Sequence, residues 1–65
     1  MGKLPRLKAR EAENILFKNG FILHRQKGSH KIYMKNDKRI VIPYHAGKIL
    51  HPKIVKELLE IIVEY

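Results

Sequence analysis

Phe21-Ile22-Leu23-His24-Arg25-Gln26-Lys27-Gly28-Ser29-His30-Lys31-Ile32-Tyr33-Met34-Lys35-Asn36-Asp37-Lys38-Arg39-Ile40-Val41-Ile42-Pro43 occupies the middle of the 65-residue chain and reads as three strands. Aromatic and β-branched residues recur through it, and two short breaks, Lys27-Gly28 and Asn36-Asp37, divide it. The pattern predicts strands over 21–27, 29–35 and 38–43, the last ended by Pro43, which has no N–H to give a ladder. Turns this short join only antiparallel neighbours, because parallel strands need long crossovers. The segment is therefore an antiparallel meander. Pleating puts His30, Ile32 and Met34 on one face of the second strand, and Ser29, Lys31, Tyr33 and Lys35 on the other.

Upstream, Ala9, Ala12, Ile15, Leu16 and Asn19 fall at three-and-four spacing, which predicts a helix over 8–19. Glu11 and Glu13 near its start and Lys18 near its end suit the helix dipole. Gly20 then stops it; a hairpin turn at Asn19-Gly20 is the weaker reading, given the helical period before it. Residues 1–6, with Gly2 and Pro5, read as a lead-in. Downstream, Tyr44 to Leu50 is a connection, and Pro52 suits the first turn of a helix over 52–63. Ile54, Val55, Leu58, Leu59, Ile61 and Ile62 give that helix a wide apolar stripe, with Lys53, Lys56, Glu57, Glu60 and Glu64 left for solvent. A small sheet needs such a cover, so the stripe reads as core. The expected fold is α+β, in the order α-β-β-β-α: one domain whose three-stranded antiparallel sheet is covered on one face by two helices and open on the other.

A chain this short buries only about 60% of the surface its unfolded form exposes. Without cysteine, no disulfide or thiolate metal site can staple the core. The longest apolar run near the C-terminus, Ile61-Ile62-Val63, is far below the roughly 20 residues that span a bilayer. Lys3, Arg6, Lys8 and Arg10 lead into no apolar stretch of the kind a signal peptide carries. A soluble protein in a cytoplasmic setting is expected. Fourteen Lys+Arg against six Asp+Glu give a net charge of +8, which makes nucleic acid the default partner. A basic solubility surface or a ribosomal-type adaptor is the plainer alternative. Membrane binding has less support, because no helix pairs a wholly basic face with an apolar one.

Arg25-Gln26-Lys27-Gly28-Ser29-His30-Lys31 holds the residues best suited to chemistry. Cleaving RNA with its own 2′-hydroxyl needs a base for that proton, an acid for the leaving 5′-oxygen, and cations for the developing phosphorane charge. His30 can fill one proton-transfer role. Arg25, Lys27 and Lys31 are candidates for the electrostatic, RNA-binding role, but successive strand positions diverge and not all of them can face one phosphate. Tyr33, across the pleat from His30, reads as packing. His45 is the leading candidate for a second proton carrier, with a loop-capping histidine as its structural alternative. His24, in mid-strand, and His51, placed to serve the start of the last helix, rank below it. No histidine pair has zinc-motif spacing and Asp37 is the only aspartate, so no metal is expected. Ser29 and His30 face opposite ways, which defeats a serine–histidine pair, and no glycine loop cradles a phosphate, so no small-molecule cofactor is expected.

The α-β-β-β-α order on a basic surface resembles the double-stranded-RNA-binding-domain fold. Within it, Gly20-Phe21, then Arg25-Gln26-Lys27-Gly28-Ser29-His30, then Pro43-Tyr44-His45, is similar to the HicA toxin family over nearly the whole chain. The resemblance implies the toxin of a type II toxin–antitoxin system: a metal-independent mRNA endoribonuclease that blocks translation and is held inactive by a HicB-like antitoxin. The family's catalytic histidine maps onto His30. This chain departs from the family where the last helix begins, with His51-Pro52-Lys53-Ile54 in place of a Gly-Thr-Leu-like segment. Two other classes stay open on the residues alone. One is a non-catalytic RNA-binding module of the same fold; the other is a protein-interaction domain that exposes the stripe of its last helix.

Overall fold

A computed structural model describes residues 4–45 and 47–63, in the order α1 (Ala9–Lys18), β1 (Ile22–Lys27), β2 (His30–Lys35), β3 (Lys38–Pro43) and α2 (Pro52–Ile61). The strands form one antiparallel sheet in the order β1-β2-β3. This is the expected α+β fold with its open three-stranded sheet and two helices. Positions 1–3 of the lead-in, Ala46 of the connection and Glu64 beyond the last helix lie outside the described residues.

Both ends of α1 are held by local chemistry. Lys8 is its extended N-cap residue, and its N–H donates to the Glu11 carboxylate at 2.8 Å, supporting the first turn. At the other end Gly20 takes φ +87°, a conformation side chains disfavour, and its N–H donates to the Phe17 carbonyl. The Phe21 N–H reaches back to the Leu16 carbonyl at 2.9 Å, completing a Schellman cap. Phe21 is thereby held under the helix end and buried, and β1 starts at Ile22, one residue later than the pattern predicts.

The first hairpin also differs from expectation by one residue. Lys27 pairs with His30, so the two-residue loop is Gly28-Ser29 rather than Lys27-Gly28. Gly28 has φ +60° while Ser29 stays at negative φ, the signs of a type II′ turn, whose twist matches that of its strands. Beyond the turn, the Tyr44 N–H donates to the Ser29 carbonyl at 2.6 Å and ties the exit of β3 to the hairpin.

One cluster forms the core: Ala9, Ala12 and Leu16 of α1, Phe21, Tyr33 of β2, Ile40 and Ile42 of β3, Leu50, and Val55 and Leu58 of α2. Ile54, Leu59, Ile61 and Ile62 pack against it, so the stripe of α2 is core cover. This removes the ground for an exposed-stripe interaction domain. The sequence pattern places Leu50 only in a connection. Its N–H donates to the Leu7 carbonyl at 2.8 Å, beside an antiparallel bridge between Lys8 and Ile49, and that pairing turns its side chain inward. β1 is exposed throughout, and its Leu23 stays 41% exposed although it lies on the helix side.

Tyr33 is fully buried, as its packing role requires, with the Phe17 ring edge-on at 5.9 Å. Its hydroxyl donates to the Glu13 carboxylate at 2.5 Å. Lys31 meets the same carboxylate oxygen at 3.3 Å and lies 3.9 Å from the Tyr44 ring centroid. Burial pushes the Tyr33 phenol well above its ordinary value of 10.0, and the hydrogen bond to Glu13 and that residue's negative charge add to the effect. Above about pH 10 the unfolded chain therefore loses this proton first and binds fewer protons than the folded one. The contribution of Tyr33 is complete below that pH and is lost as pH rises, by up to about 1.4 kcal/mol per pH unit. Denaturant unfolding between pH 8 and 11 is expected to show this fall in the wild type and not in Tyr33→Phe. Equal pH slopes would contradict it.

Candidate nucleic-acid interface on the open sheet face

The pairing of β1 with β2 contains one irregularity, and it determines which cations accompany His30. Ile22 pairs with Met34 and Leu23 with Tyr33, but the next pair is Arg25 with Ile32; His24 is the extra residue of a β-bulge. An unbroken register would carry Arg25 and Lys27 to the side of Leu23 and Tyr33, under the helices. The bulge shifts the parity by one residue. Directly opposed residues share a face, with Cβ atoms about 4.5–5.5 Å apart. Arg25, opposite Ile32, and Lys27, opposite His30, consequently join His30 on the open face. Gln26 opposite Lys31 belongs to the helix side.

β3 completes the open face. Ile40 and Ile42 are buried, so Arg39, Val41 and Pro43 point the other way. Two open depressions result. One, of about 490 Å³, is lined by His30, Arg39, Val41 and Pro43 of the sheet and by Ile54 and Glu57 of α2. The other is lined by His24, Arg25, Ile32, Met34 and Arg39. Arg39 is common to both, and its guanidinium can grip a phosphate through two parallel N–H donors. The surface thus combines two histidines (His30 and His24), three cations (Arg25, Lys27 and Arg39) and an apolar floor of Ile32, Met34 and Val41.

The sequence model of a family described as "HicA toxin of bacterial toxin-antitoxin" matches residues 9–62. The chain belongs to the HicA toxin family. The HicA match runs from the first residue of α1 to just past α2, and so includes both depressions. No curated protein and no solved structure matches the chain.

The HicA assignment leaves the other singled-out residues to be placed by geometry. Lys31 is held on the helix side by Glu13 and Tyr44, away from His30. His45 is exposed and lines a third depression, with Lys8, Ala9, Arg10, Tyr44 and Gly47, not that of His30. His51 is the N-cap of α2: its Nδ1 accepts from the Lys53 N–H at 3.1 Å. His24, ranked low in mid-strand, is brought to the open face by the bulge. The sequence pattern does not single out Arg39 or Glu57. The signal for Arg39 was its alternation with Ile40 and Ile42. Glu57 carried only its spacing of three from Ile54, which puts the two on adjacent turns of one helix face. Among the described residues, no three His, Cys, Asp or Glu side chains are grouped to hold a metal ion. None of the described helices is long and apolar enough to cross a membrane.

Proposed function

We propose that this HicA-family chain is a metal-independent endoribonuclease that cleaves mRNA in the cytoplasm and blocks translation, with His30 as its catalytic histidine. The observation that carries the reading is the position of His30: on the uncovered sheet face, beside Lys27 and Arg25 through the bulge, and in one depression with Arg39. A proton carrier among three cations suits a phosphodiester whose 2′-oxygen attacks its own phosphorus. The imidazole moves a proton, while the cations balance the charge of the phosphorane. A HicB-like antitoxin restrains the toxin by covering this face, with groups complementary to its charge or by blocking the approach of RNA.

The face makes a graded prediction for binding. Arg39→Gln is expected to weaken RNA binding and to lower the slope of log affinity against log salt by about 1. Lys31→Gln, on the other side of the sheet, is expected to change that slope little. Salt titrations of binding to a labelled single-stranded RNA, made with catalytically silent His30→Ala backgrounds, check both. A larger loss at Lys31 than at Arg39 would move the interface to the helix side. Incubating wild-type protein with a long single-stranded RNA in excess chelator tests the activity itself: fragments support the nuclease, and RNA bound but uncut supports a non-catalytic RNA-binding module.

A further inference from the structure

Internal cleavage of RNA needs two proton carriers, and His30 is one. The side chain best placed to be the other is neither His45, in the third depression, nor His24, in the neighbouring one. It is Glu57, which lines the His30 depression from α2 while Arg39 lines it from β3. Ile54, one turn earlier on the same helix, packs against the core and docks this side of α2 beside the sheet. Among the described residues the Glu57 carboxylate makes no hydrogen bond or ion pair, so it is uncommitted. It is also the acid that lines the open-face depressions of a chain with net charge +8. A carboxylate there opposes phosphate binding, and a purely electrostatic surface would do better without it.

We infer that Glu57 is the general base of the reaction and His30 its general acid, an assignment that rests on the nuclease reading above. The Glu57 carboxylate takes the 2′-hydroxyl proton as the 2′-oxygen–phosphorus bond forms. The bond from phosphorus to the 5′-oxygen breaks, and the His30 imidazolium gives that oxygen its proton. Arg39 balances the phosphorane charge between the two steps. The products are a 2′,3′-cyclic phosphate and a 5′-hydroxyl, and a proton exchanged with solvent returns both side chains to their starting forms. The charged groups around Glu57 are His30 and Arg39 from the sheet and Lys53 and Glu60 from the adjacent turns of α2.

The test is the steady-state kinetics of purified wild type, Glu57→Gln, Glu57→Asp, His30→Ala and, as a control on the same helix, Glu60→Gln. Glu57→Gln is expected to lower kcat by about 100-fold or more. Its KM stays level or falls, since a negative charge has left the phosphate site. The acid-side limb of the pH profile disappears, Glu57→Asp restores part of the rate, and Glu60→Gln matches wild type. A substrate with sulfur in place of the leaving 5′-oxygen needs no acid, so it rescues His30→Ala and not Glu57→Gln. Cleavage by wild type with kcat and the acid limb intact in Glu57→Gln, or rescue of Glu57→Gln by the sulfur substrate, overturns this assignment and leaves the nuclease reading standing. Absence of cleavage by wild type overturns both.

Discussion

His30→Ala is expected to lose RNA cleavage by about 10²- to 10⁴-fold, the range that a positioned proton carrier contributes, and with it the growth arrest expected when the wild type is expressed. The fold is expected to be unaffected, because His30 is an exposed residue at the first position of β2, next to a two-residue turn. Binding is expected to fall far less than the rate, since Arg25, Lys27 and Arg39 remain on the face. Single-turnover cleavage, with thermal unfolding as the check on folding, measures the separation. Full activity in the variant would remove His30 from the chemistry, and an equal fall in binding would make it an electrostatic contact.

Leu16→Ala is expected to have the largest effect on stability. Leu16 is fully buried at the centre of the cluster that joins α1 to the sheet and α2. Truncating such a leucine costs about 2–5 kcal/mol in lost transfer energy and residual cavity. A core in a domain of this size supplies about 3–5 kcal/mol in total, so the variant is expected to be largely unfolded at 37 °C. Leu23→Ala, on the overhanging β1, is expected to change stability by no more than about 0.5 kcal/mol. Denaturation midpoints at equal m-value compare the two. A shift below about 1 kcal/mol for Leu16→Ala would mean that the cluster is not the cooperative unit described.

The elements were readable because each carried its own short-range signature. The 3.6-residue period of Ala9, Ala12 and Leu16, the stop at Gly20, and the alternation that buries Tyr33, Ile40 and Ile42 all lie within a few residues of one another. Pleating put His30 and Tyr33 on opposite faces of β2, but alternation alone does not say which face is open; the burial of Tyr33 decides it. The features that assemble the site are longer in range. Nothing in the composition around His24 marks it as a bulge; the extra residue is set by where Leu23 and Arg25 find partners on β2. The pleat of β2 alone parts Lys31, which is turned to Glu13 and Tyr44, from His30; it is the joining of Arg25 and Lys27 to His30 that needs the bulge and cannot be read from the sequence pattern. Arg39 and Glu57 reach His30 only through the packing of the sheet and α2, across many residues of chain. The same distance explains Leu50, a lone apolar residue in a connection that becomes core through its pairing with Leu7.

On the proposed reading, the open face of this HicA-family chain cuts RNA by internal attack, with His30 moving a proton and no metal required. The most direct measurement is the chemistry of the fragment ends made by purified wild-type protein in excess chelator, with His30→Ala alongside. Fragments ending in 2′,3′-cyclic phosphate and beginning with 5′-hydroxyl, made by the wild type alone, are the predicted result. Fragments with 5′-phosphate ends, cleavage that chelator abolishes, or RNA that is bound and left whole would contradict it.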